Sequence, residues 1–342
     1  MIRVRHRLRR ASIDAVRGGL RRLAARRSVR RYLEVAIGEL SASVKDTVDE
    51  ARYGSAYFGR SRPKHTASGG VISGYARYDR RSSNLDIAAY LVWRFLPHGR
   101  ILDVGAALGF LVEAFRDLGL DAIGIEYSED AVRNAAPGAL GHLLQGDVLE
   151  GLPLRDAYAD VVTCLETLEH LTPDAIPAVA AELRRVCRGY LFVTTPSIGP
   201  NPNGPDGFLE GKVRDAVLDA YYTKGRDYSG PVPYDDLYRD AGGSPVEGHL
   251  TVASYSWWTE RFEEAGFIRC GDTERRLHPE IRRYGMATLW NLYVFRVPEV
   301  AEPPAERHDA HEARRVERLF ALRERVQPPP PPTRWPLPAD HD

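Results

Sequence analysis

Two glycines that follow a short apolar run could hold a ligand against bare backbone. The stretch ILDVGAALGF, residues 101–110, carries Asp103 and then Gly105 and Gly109. Glycine places no side chain in the way, and the N–H groups at the start of a helix attract polar or negatively charged ligands. A turn of this kind suits a phosphate, a nucleoside or a tightly packed helix, and its spacing leaves all three open.

An acidic residue further along the chain narrows the choice. Glu126 closes the apolar run DAIGIE, residues 121–126, roughly twenty residues after the glycine turn. A carboxylate at the end of a second strand can accept hydrogen bonds from both hydroxyls of a ribose. The turn and Glu126 together indicate a nucleoside-bearing cofactor. A nicotinamide dinucleotide is a weaker alternative, because its G-x-G-x-x-G fingerprint has a glycine where this chain has Ala107.

Alternating strand and helix patterns between residues 85 and 196 must position these residues. Apolar runs predict five strands, at 100–105, 121–126, 141–146, 159–164 and 190–195. Helical periodicity predicts four helices before and between them, at 85–96, 108–118, 128–136 and 176–187. Strands separated by helices of this length form a parallel sheet covered on both faces. Such sheets bind ligands beyond the carboxyl ends of their strands.

An insertion interrupts this pattern at residues 197–248, which are rich in glycine, proline, aspartate and tyrosine. A connection of this length favours an inserted lid over a plain loop. Regular structure then resumes with a predicted helix at 254–267 and a strand at 267–272, and a last strand at 289–297 follows a charged link.

The two ends of the chain differ from the centre in composition. Residues 1–84 are predicted to be a basic helical region that ends in a loop at 61–74. Residues 85–300 form the predicted ligand-binding domain. Residues 301–342 are predicted to be a short helix followed by a proline-rich tail in an extended form.

Charge and cysteine content exclude several classes of protein. Lysine plus arginine and aspartate plus glutamate each number 47 among 342 residues, so no overall positive field predicts a nucleic-acid partner. The three cysteines, Cys164, Cys187 and Cys270, are far apart and lie in apolar runs, so we expect buried thiols rather than disulfides or a thiolate metal site. We expect a cytoplasmic protein, because no apolar run reaches membrane-spanning length and no secretory signal is recognisable.

The arginine-rich segment 1–31 has three interpretations. An amphipathic basic helix could lie on an anionic membrane surface, with each basic residue contributing about 1 kcal/mol. The composition is also typical of an organelle transit peptide. A solvated or self-packed helix is the interpretation that we favour.

Four successive stretches resemble the class I S-adenosylmethionine-dependent methyltransferases. They are ILDVGAALGFLVEAF, AIGIEYSEDAV, LLQGDVLEGLPLRDAYADVVTCLETLEHL and AAELRRVCRGYLFVTTP, in the order and spacing of that family. The resemblance covers about residues 85–297. It implies a Rossmann-like three-layer sandwich with a mostly parallel seven-stranded sheet, in which the last strand is antiparallel. It also implies S-adenosylmethionine as the cofactor.

The resemblance assigns cofactor contacts by position. The residues are Asp103, Gly105, Ala107, Gly109 and Phe110 in the first turn, Glu126 and Tyr127 after the second strand, Asp147 and Val148 after the third, and Cys164, Leu165 and Glu166 after the fourth. The family usually has glycine at the position of Ala107, so this residue departs from the pattern.

Methyl transfer to a hydroxyl needs a positioned nucleophile and a base. His249 and His170 are the candidate catalytic residues, and bracing of a neighbouring helix is the alternative role of His170. Tyr75, Tyr78 and Tyr234 are the candidate substrate contacts. No spacing demands a metal ion. We expect O-methylation of a sugar, glycan or other hydroxylated small molecule; N- or C-methylation and a non-catalytic scaffold are the alternatives.

Overall fold

The computed structural model describes residues 64–65, 71–72, 78–205, 230–237, 248–285, 291–305 and 307–326. All of them belong to one of the two units into which the chain divides, Gly54–Asp342. The predicted N-terminal helices, the transit or membrane segment 1–31, Tyr75 and most of the predicted lid lie outside the described residues. In the described part of the chain, no helix has the length and apolar character needed to cross a membrane.

Seven strands form the central sheet. They are β3 (Arg100–Val104), β4 (Asp121–Glu126), β5 (Leu143–Gln145), β6 (Ala159–Leu165), β7 (Cys187–Thr194), β10 (Ile268–Arg269) and β11 (Leu292–Arg296). Their order across the sheet is β10, β11, β7, β6, β3, β4, β5. The five strands from β7 to β5 are parallel, whereas β11 runs antiparallel to both β7 and β10. The predicted fold class is therefore confirmed, including the antiparallel last strand.

Two short strand pairs lie outside this sheet. Strands β1 (Lys64–His65) and β2 (Val71–Ile72) pair antiparallel within the stretch that we predicted to be a loop. Strands β8 (Ser197–Ile198) and β9 (Ala253–Ser254) pair in parallel. The second pair joins the two ends of the predicted insertion, and Val232 donates a backbone hydrogen bond of 2.7 Å to Val252 beside it.

Helices cover both faces of the sheet. They are α1 (Leu85–Phe95), α2 (Phe110–Asp117), α3 (Glu129–Arg133), α4 (Ile176–Val186), α5 (Tyr255–Glu264), α6 (Gly271–Arg283) and α7 (Ala310–Leu319). Residues of α1, α2, α6 and α7 share one apolar cluster, and residues of α4 and α5 share the other. Strand β7 contributes Tyr190 and Phe192 to the first cluster and Leu191 and Val193 to the second. A strand that is apolar on both sides belongs in the middle layer of a three-layer sandwich.

The main error of the sequence analysis lies between β10 and β11. We predicted a strand at 267–272 and a charged link after it, but β10 has only two residues and helix α6 begins at Gly271. The helix buries Leu277 and Ile281 against the sheet and carries charged side chains elsewhere. The expectation of three buried free cysteines is confirmed.

Candidate active site

The glycine turn between β3 and α2 is built from left-handed residues. Gly105, Ala107 and Gly109 have φ angles of 76°, 49° and 75°. The N–H groups of Gly105 and Ala106 both donate to the carbonyl of Ile125, at 2.9 and 3.1 Å, so the turn is fastened to the neighbouring strand β4. Left-handed backbone costs little for glycine but about 1–2 kcal/mol for other residues. Ala107 therefore holds a strained conformation where the family has glycine.

Glu126 lies at the carboxyl end of β4 and reaches the same turn. Its Oε2 accepts from the N–H of Ala107 at 2.7 Å, and its Oε1 accepts from the N–H of Ser128 at 2.9 Å. The side chain is buried, which raises its pKa, although these backbone N–H groups act in the opposite direction. A carboxylate has about four acceptor positions, so Glu126 can hold the turn and also accept a ribose hydroxyl.

Asp103 is buried near the end of β3, just before the turn that begins at Gly105. Its Oδ1 accepts from the hydroxyl of Thr163 on β6, at 2.6 Å. Burial raises the pKa of Asp103 to about 7, although the hydrogen bond from Thr163 lowers it. Because parallel strands end at the same edge, this hydrogen bond ties the ends of β3 and β6 together.

The segment after β6 closes the other side of the turn. Glu166 has a φ angle of 49°, and its N–H donates to the carbonyl of Thr194 at 2.9 Å. A Cβ atom added to Gly105 would lie 2.6 Å from Cγ2 of Thr167. This close approach brings the predicted contact residues Cys164, Leu165 and Glu166 to the glycine turn. Burial raises the pKa of the Cys164 thiol far above its usual range, so this cysteine is a packing residue.

Asp147 and Val148 follow β5 at the edge of the sheet. The pairing of Glu126 with Gln145 places them next to the end of β4. The Oδ1 atom of Asp147 accepts from the N–H of Leu149 at 2.8 Å, and Val148 packs against the apolar cluster under β6. Both residues are half-buried, as an adenine contact requires.

Two of the three candidate substrate tyrosines are described. Tyr78 packs against the small apolar cluster of Ala107 and Ala131, and its ring lies 5.8 Å from the ring of Phe110. Tyr234 begins a short turn, Tyr234–Asp236, and is exposed. Tyr127, a predicted cofactor contact, is half-buried after Glu126. Tyr78 is thus brought to the glycine turn, whereas Tyr234 lies on the insertion beside Val252.

The two candidate catalytic histidines face one another across a buried carboxylate. The Nε2 atoms of His170 and His249 lie 4.0 and 3.9 Å from Oε1 of Glu169. The two rings meet edge to face, with centroids 5.2 Å apart. The resemblance to the family had suggested both histidines, but we had not singled out Glu169. Its place in the run LETLEHL, directly before His170, was the available signal.

The site fits S-adenosylmethionine. The turn between Gly105 and Gly109 presents backbone without bulky side chains, and the buried Glu126 supplies an acceptor for ribose hydroxyls at its edge. Asp147 and Val148 lie where an adenine would follow, and Glu166 lies on the opposite side of the turn. These residue positions match the order of a nucleoside, its ribose and the methionine portion.

Comparison with known proteins agrees with this geometry. Residues 102–193 match the family model described as a methyltransferase domain. This segment belongs to the methyltransferase domain family. The matched segment contains the four strand ends at which the resemblance predicts cofactor contacts, and the resemblance found in the sequence is confirmed.

Similar curated proteins include ubiquinone biosynthesis O-methyltransferases. Those of Burkholderia thailandensis and Thiobacillus denitrificans are 35% and 38% identical over 106 residues, which cover 29% and 28% of this chain and 45% and 44% of those proteins. The chain therefore spans about half the length of the curated relatives that it matches. A solved S-adenosylmethionine-dependent methyltransferase from Archaeoglobus fulgidus is 16% identical, over 64% of this chain and 95% of its own, with a TM-score of 0.39.

Proposed function

We propose that this protein transfers a methyl group from S-adenosylmethionine to a hydroxyl of a small molecule. The observation that carries the proposal is the position of Glu126 in a methyltransferase domain. Its buried carboxylate closes the turn between Gly105 and Gly109, at the place where a ribose must be held. The name of the curated relatives, ubiquinone biosynthesis O-methyltransferase, supports oxygen as the acceptor atom.

Bound S-adenosylmethionine supplies an activated methyl group on a positively charged sulfur. The protein has to hold the acceptor oxygen about 3 Å from the methyl carbon and to assist loss of its proton. The oxygen would bond to the methyl carbon as the carbon–sulfur bond breaks, and S-adenosylhomocysteine and the proton would leave. The cluster of Glu169, His170 and His249 lies at the carboxyl ends of β6 and β7, on the same edge as the cofactor residues, and is the candidate for this assistance.

A sugar or glycan is the acceptor class that we propose within this function. Tyr234, Asp235 and Asp236 form an exposed turn of the insertion, which is joined to the segment after His249 through Val232 and Val252. Aromatic faces and carboxylates together suit a polyhydroxylated ring. Acceptor choice depends on pocket shape rather than on the cofactor residues, so this proposal needs its own test.

A transfer assay with methyl-labelled S-adenosylmethionine tests both the proposed O-methylation and the proposed sugar or glycan acceptor. The acceptors are a set of methyl glycosides, a dihydroxybenzene and a primary amine, each presented to the full chain. We expect label in hydroxylated acceptors and none in the amine. Label in the dihydroxybenzene alone would overturn the glycan proposal, and label in the amine alone would overturn O-methylation.

Two variants separate cofactor binding from transfer. Glu126→Gln should weaken binding of S-adenosylhomocysteine about tenfold or more, because one acceptor oxygen is lost. His249→Ala should lower turnover and leave that affinity unchanged. Calorimetry that finds no binding of S-adenosylmethionine to the wild-type chain would favour the scaffold alternative and end this proposal.

A further inference from the structure

We propose that Glu169, His170 and His249 bind a divalent transition-metal ion, and that a hydroxyl of the acceptor takes up a further coordination position on it. Binding of the ion follows from the cluster alone, whereas the role in activating the acceptor rests on the proposed function. The sequence analysis had found no residue spacing that demands a metal ion, and His249 is far from the other two residues in the chain.

The distances within the cluster suit ligands around an ion. Both imidazole Nε2 atoms face the same carboxylate oxygen, at 4.0 Å from His170 and 3.9 Å from His249. Both distances exceed the range of a direct hydrogen bond. All three donor atoms lie within 4.8 Å of one another. A tetrahedral ion with bonds of about 2.1 Å separates its ligands by roughly 3.4 Å, so small side-chain rotations close the site.

The orientation of His170 is fixed by its second nitrogen. Its Nδ1 lies 3.3 Å from the carbonyl oxygen of Gly248, which can only accept, so Nδ1 carries the proton. The lone pair of Nε2 then faces Glu169. Gly248 has a φ angle of 79°, a left-handed conformation that suits glycine. A ligating histidine whose other nitrogen donates to a backbone carbonyl is the common arrangement at metal sites.

Backbone hydrogen bonds hold the two halves of the cluster together. The carbonyl of Glu169 accepts from the N–H groups of Leu250 and Thr251, at 2.6 and 3.0 Å. The hydroxyl of Thr251 donates to the carbonyl of Leu171 at 2.6 Å. His249 is therefore fixed directly beside the turn that carries Glu169 and His170. Three ligands on two tied segments form a site that exists before the ion binds.

Burial and donor type indicate which ion the cluster prefers. Glu169 is fully buried and His249 is 6% exposed, and a buried carboxylate is stable when it coordinates a cation. Two imidazoles and one carboxylate suit zinc and its first-row neighbours, whereas magnesium and calcium prefer oxygen ligands alone. We therefore expect zinc to bind and magnesium to bind far more weakly.

The position of the cluster connects the ion to methyl transfer. Glu169 follows the cofactor residue Glu166 by one turn, and its Oε2 lies 3.5 Å from the hydroxyl of Thr195, just beyond the end of β7. Three protein ligands leave an open coordination position. A hydroxyl bound there would lose its proton to water more readily. In this role the two histidines would hold the ion rather than act as bases.

Metal titration of the full chain tests the site. After dialysis against a chelator, calorimetry with Zn²⁺ should show one ion per chain at micromolar affinity or tighter, and Mg²⁺ should show no comparable binding. Glu169→Gln and His249→Ala should each weaken zinc binding by a hundredfold or more, because loss of a residue that merely orients a ligand already costs about tenfold to a hundredfold. His311→Ala is the matched control, because His311 is exposed on α7. Unchanged affinity for S-adenosylhomocysteine verifies that each variant is folded.

A cobalt-loaded sample tests the open position. Co²⁺ in the site should give visible absorption bands that shift when azide is added. Unshifted bands would overturn the acceptor role, and zinc binding that is absent or unaffected by both variants would overturn the site itself. A chain that binds zinc but never methylates would refute the proposed function and leave the metal site standing. A chain that methylates at full rate without metal would overturn the role of the ion in activating the acceptor and leave the proposed function standing.

Discussion

At the scale of single residues, the strained alanine in the cofactor turn is the clearest departure from the family pattern. Ala107 has a φ angle of 49°, is 7% exposed, and donates its N–H to Glu126. The hydrogen bond to Glu126 holds this backbone conformation, and Tyr78 packs against the cluster that Ala107 forms with Ala131. A larger side chain at this buried position would be crowded, and it would also disfavour the left-handed backbone conformation.

Replacement of Ala107 tests how closely the turn is adjusted to the cofactor. Ala107→Val should weaken binding of S-adenosylhomocysteine at least tenfold, because a β-branched residue strongly disfavours left-handed backbone. Ala107→Gly is the control and should bind at least as tightly as the wild type. Calorimetry on the three proteins makes the comparison. Equal affinity of the valine variant would show that the turn does not contact the cofactor.

Asp103 should make the stability of the domain depend on pH. Its pKa rises from 3.8 to about 7 on folding, because it is buried. The folded state thus binds the proton more tightly, so the contribution of Asp103 is complete below pH 4 and is lost as the pH rises through about 7. Each tenfold change in proton affinity corresponds to about 1.36 kcal/mol, which sets an upper limit of about 4 kcal/mol.

The variant Asp103→Asn isolates this effect, since an amide oxygen can still accept from Thr163. Its free energy of unfolding should rise relative to the wild type between pH 4 and 7 and then stay constant. Urea titrations in the absence of cofactor measure the difference. Parallel pH profiles for the two proteins would show that Asp103 does not titrate in this range.

Residue patterns located the strand ends that carry the predicted cofactor residues, but they did not show that Glu169, His170 and His249 lie together. Each cofactor residue lies at the end of a strand, and strand ends are readable because an apolar run stops there. Glu169 and His249 meet only because Leu250 and Thr251 hydrogen-bond to the carbonyl of Glu169. Backbone contacts between segments that are far apart in the chain do not change the local composition. The sequence therefore could not show that these residues meet.

At the scale of secondary structure elements, helix α6 shows where prediction from the sequence stops. Its buried residues Thr273, Leu277 and Ile281 include only two strongly apolar side chains, and Pro279 interrupts the pattern. Glu274 is also fully buried, because it pairs with Arg269 at 2.9 Å and accepts from the N–H of Val294. A charged residue that is buried through partners on other elements looks exposed in the sequence. The parallel strands are apolar and need no charged partners to be buried, so the sequence predicted the first and last residue of each to within three positions.

The close packing of β4 against the cofactor turn leads to a prediction for Gly124. A Cβ atom at this position would lie 2.6 Å from Cβ of Ala106 and 2.6 Å from Cδ2 of Leu143. Gly124→Ala should therefore destabilise the domain by about 1–3 kcal/mol and displace the turn, so that cofactor affinity falls as well.

Thermal unfolding and calorimetry measure the two effects of this substitution. Gly230→Ala is the control, because a Cβ atom there would meet no described atom within 4 Å. A variant at Gly124 that loses stability but keeps its cofactor affinity would show that β4 does not position the turn.

At the scale of the whole molecule, the segment after the sheet is joined to the core. Val316 and Phe320, at the end of α7, and Leu322 belong to the apolar cluster that also contains α1. Glu317 accepts from the hydroxyls of Tyr90 and Tyr284, both at 3.4 Å. The composition of residues 301–342 had suggested an appendage, whereas α7 packs as part of the layer that covers the sheet.

Truncation of the chain tests this role of α7. Removal of residues 310–342 exposes the surface buried by Val316, Phe320 and Leu322, each worth about 1.5–3 kcal/mol. We expect a loss of about 5 kcal/mol and a decrease in Tm of about 10–20 °C, since 1 kcal/mol corresponds to roughly 2–4 °C in a domain of this size. Removal of residues 327–342 alone keeps every one of these contacts and should leave Tm unchanged. If both truncations lower Tm equally, the stabilisation arises from the tail, and α7 only covers a surface that is stable without it.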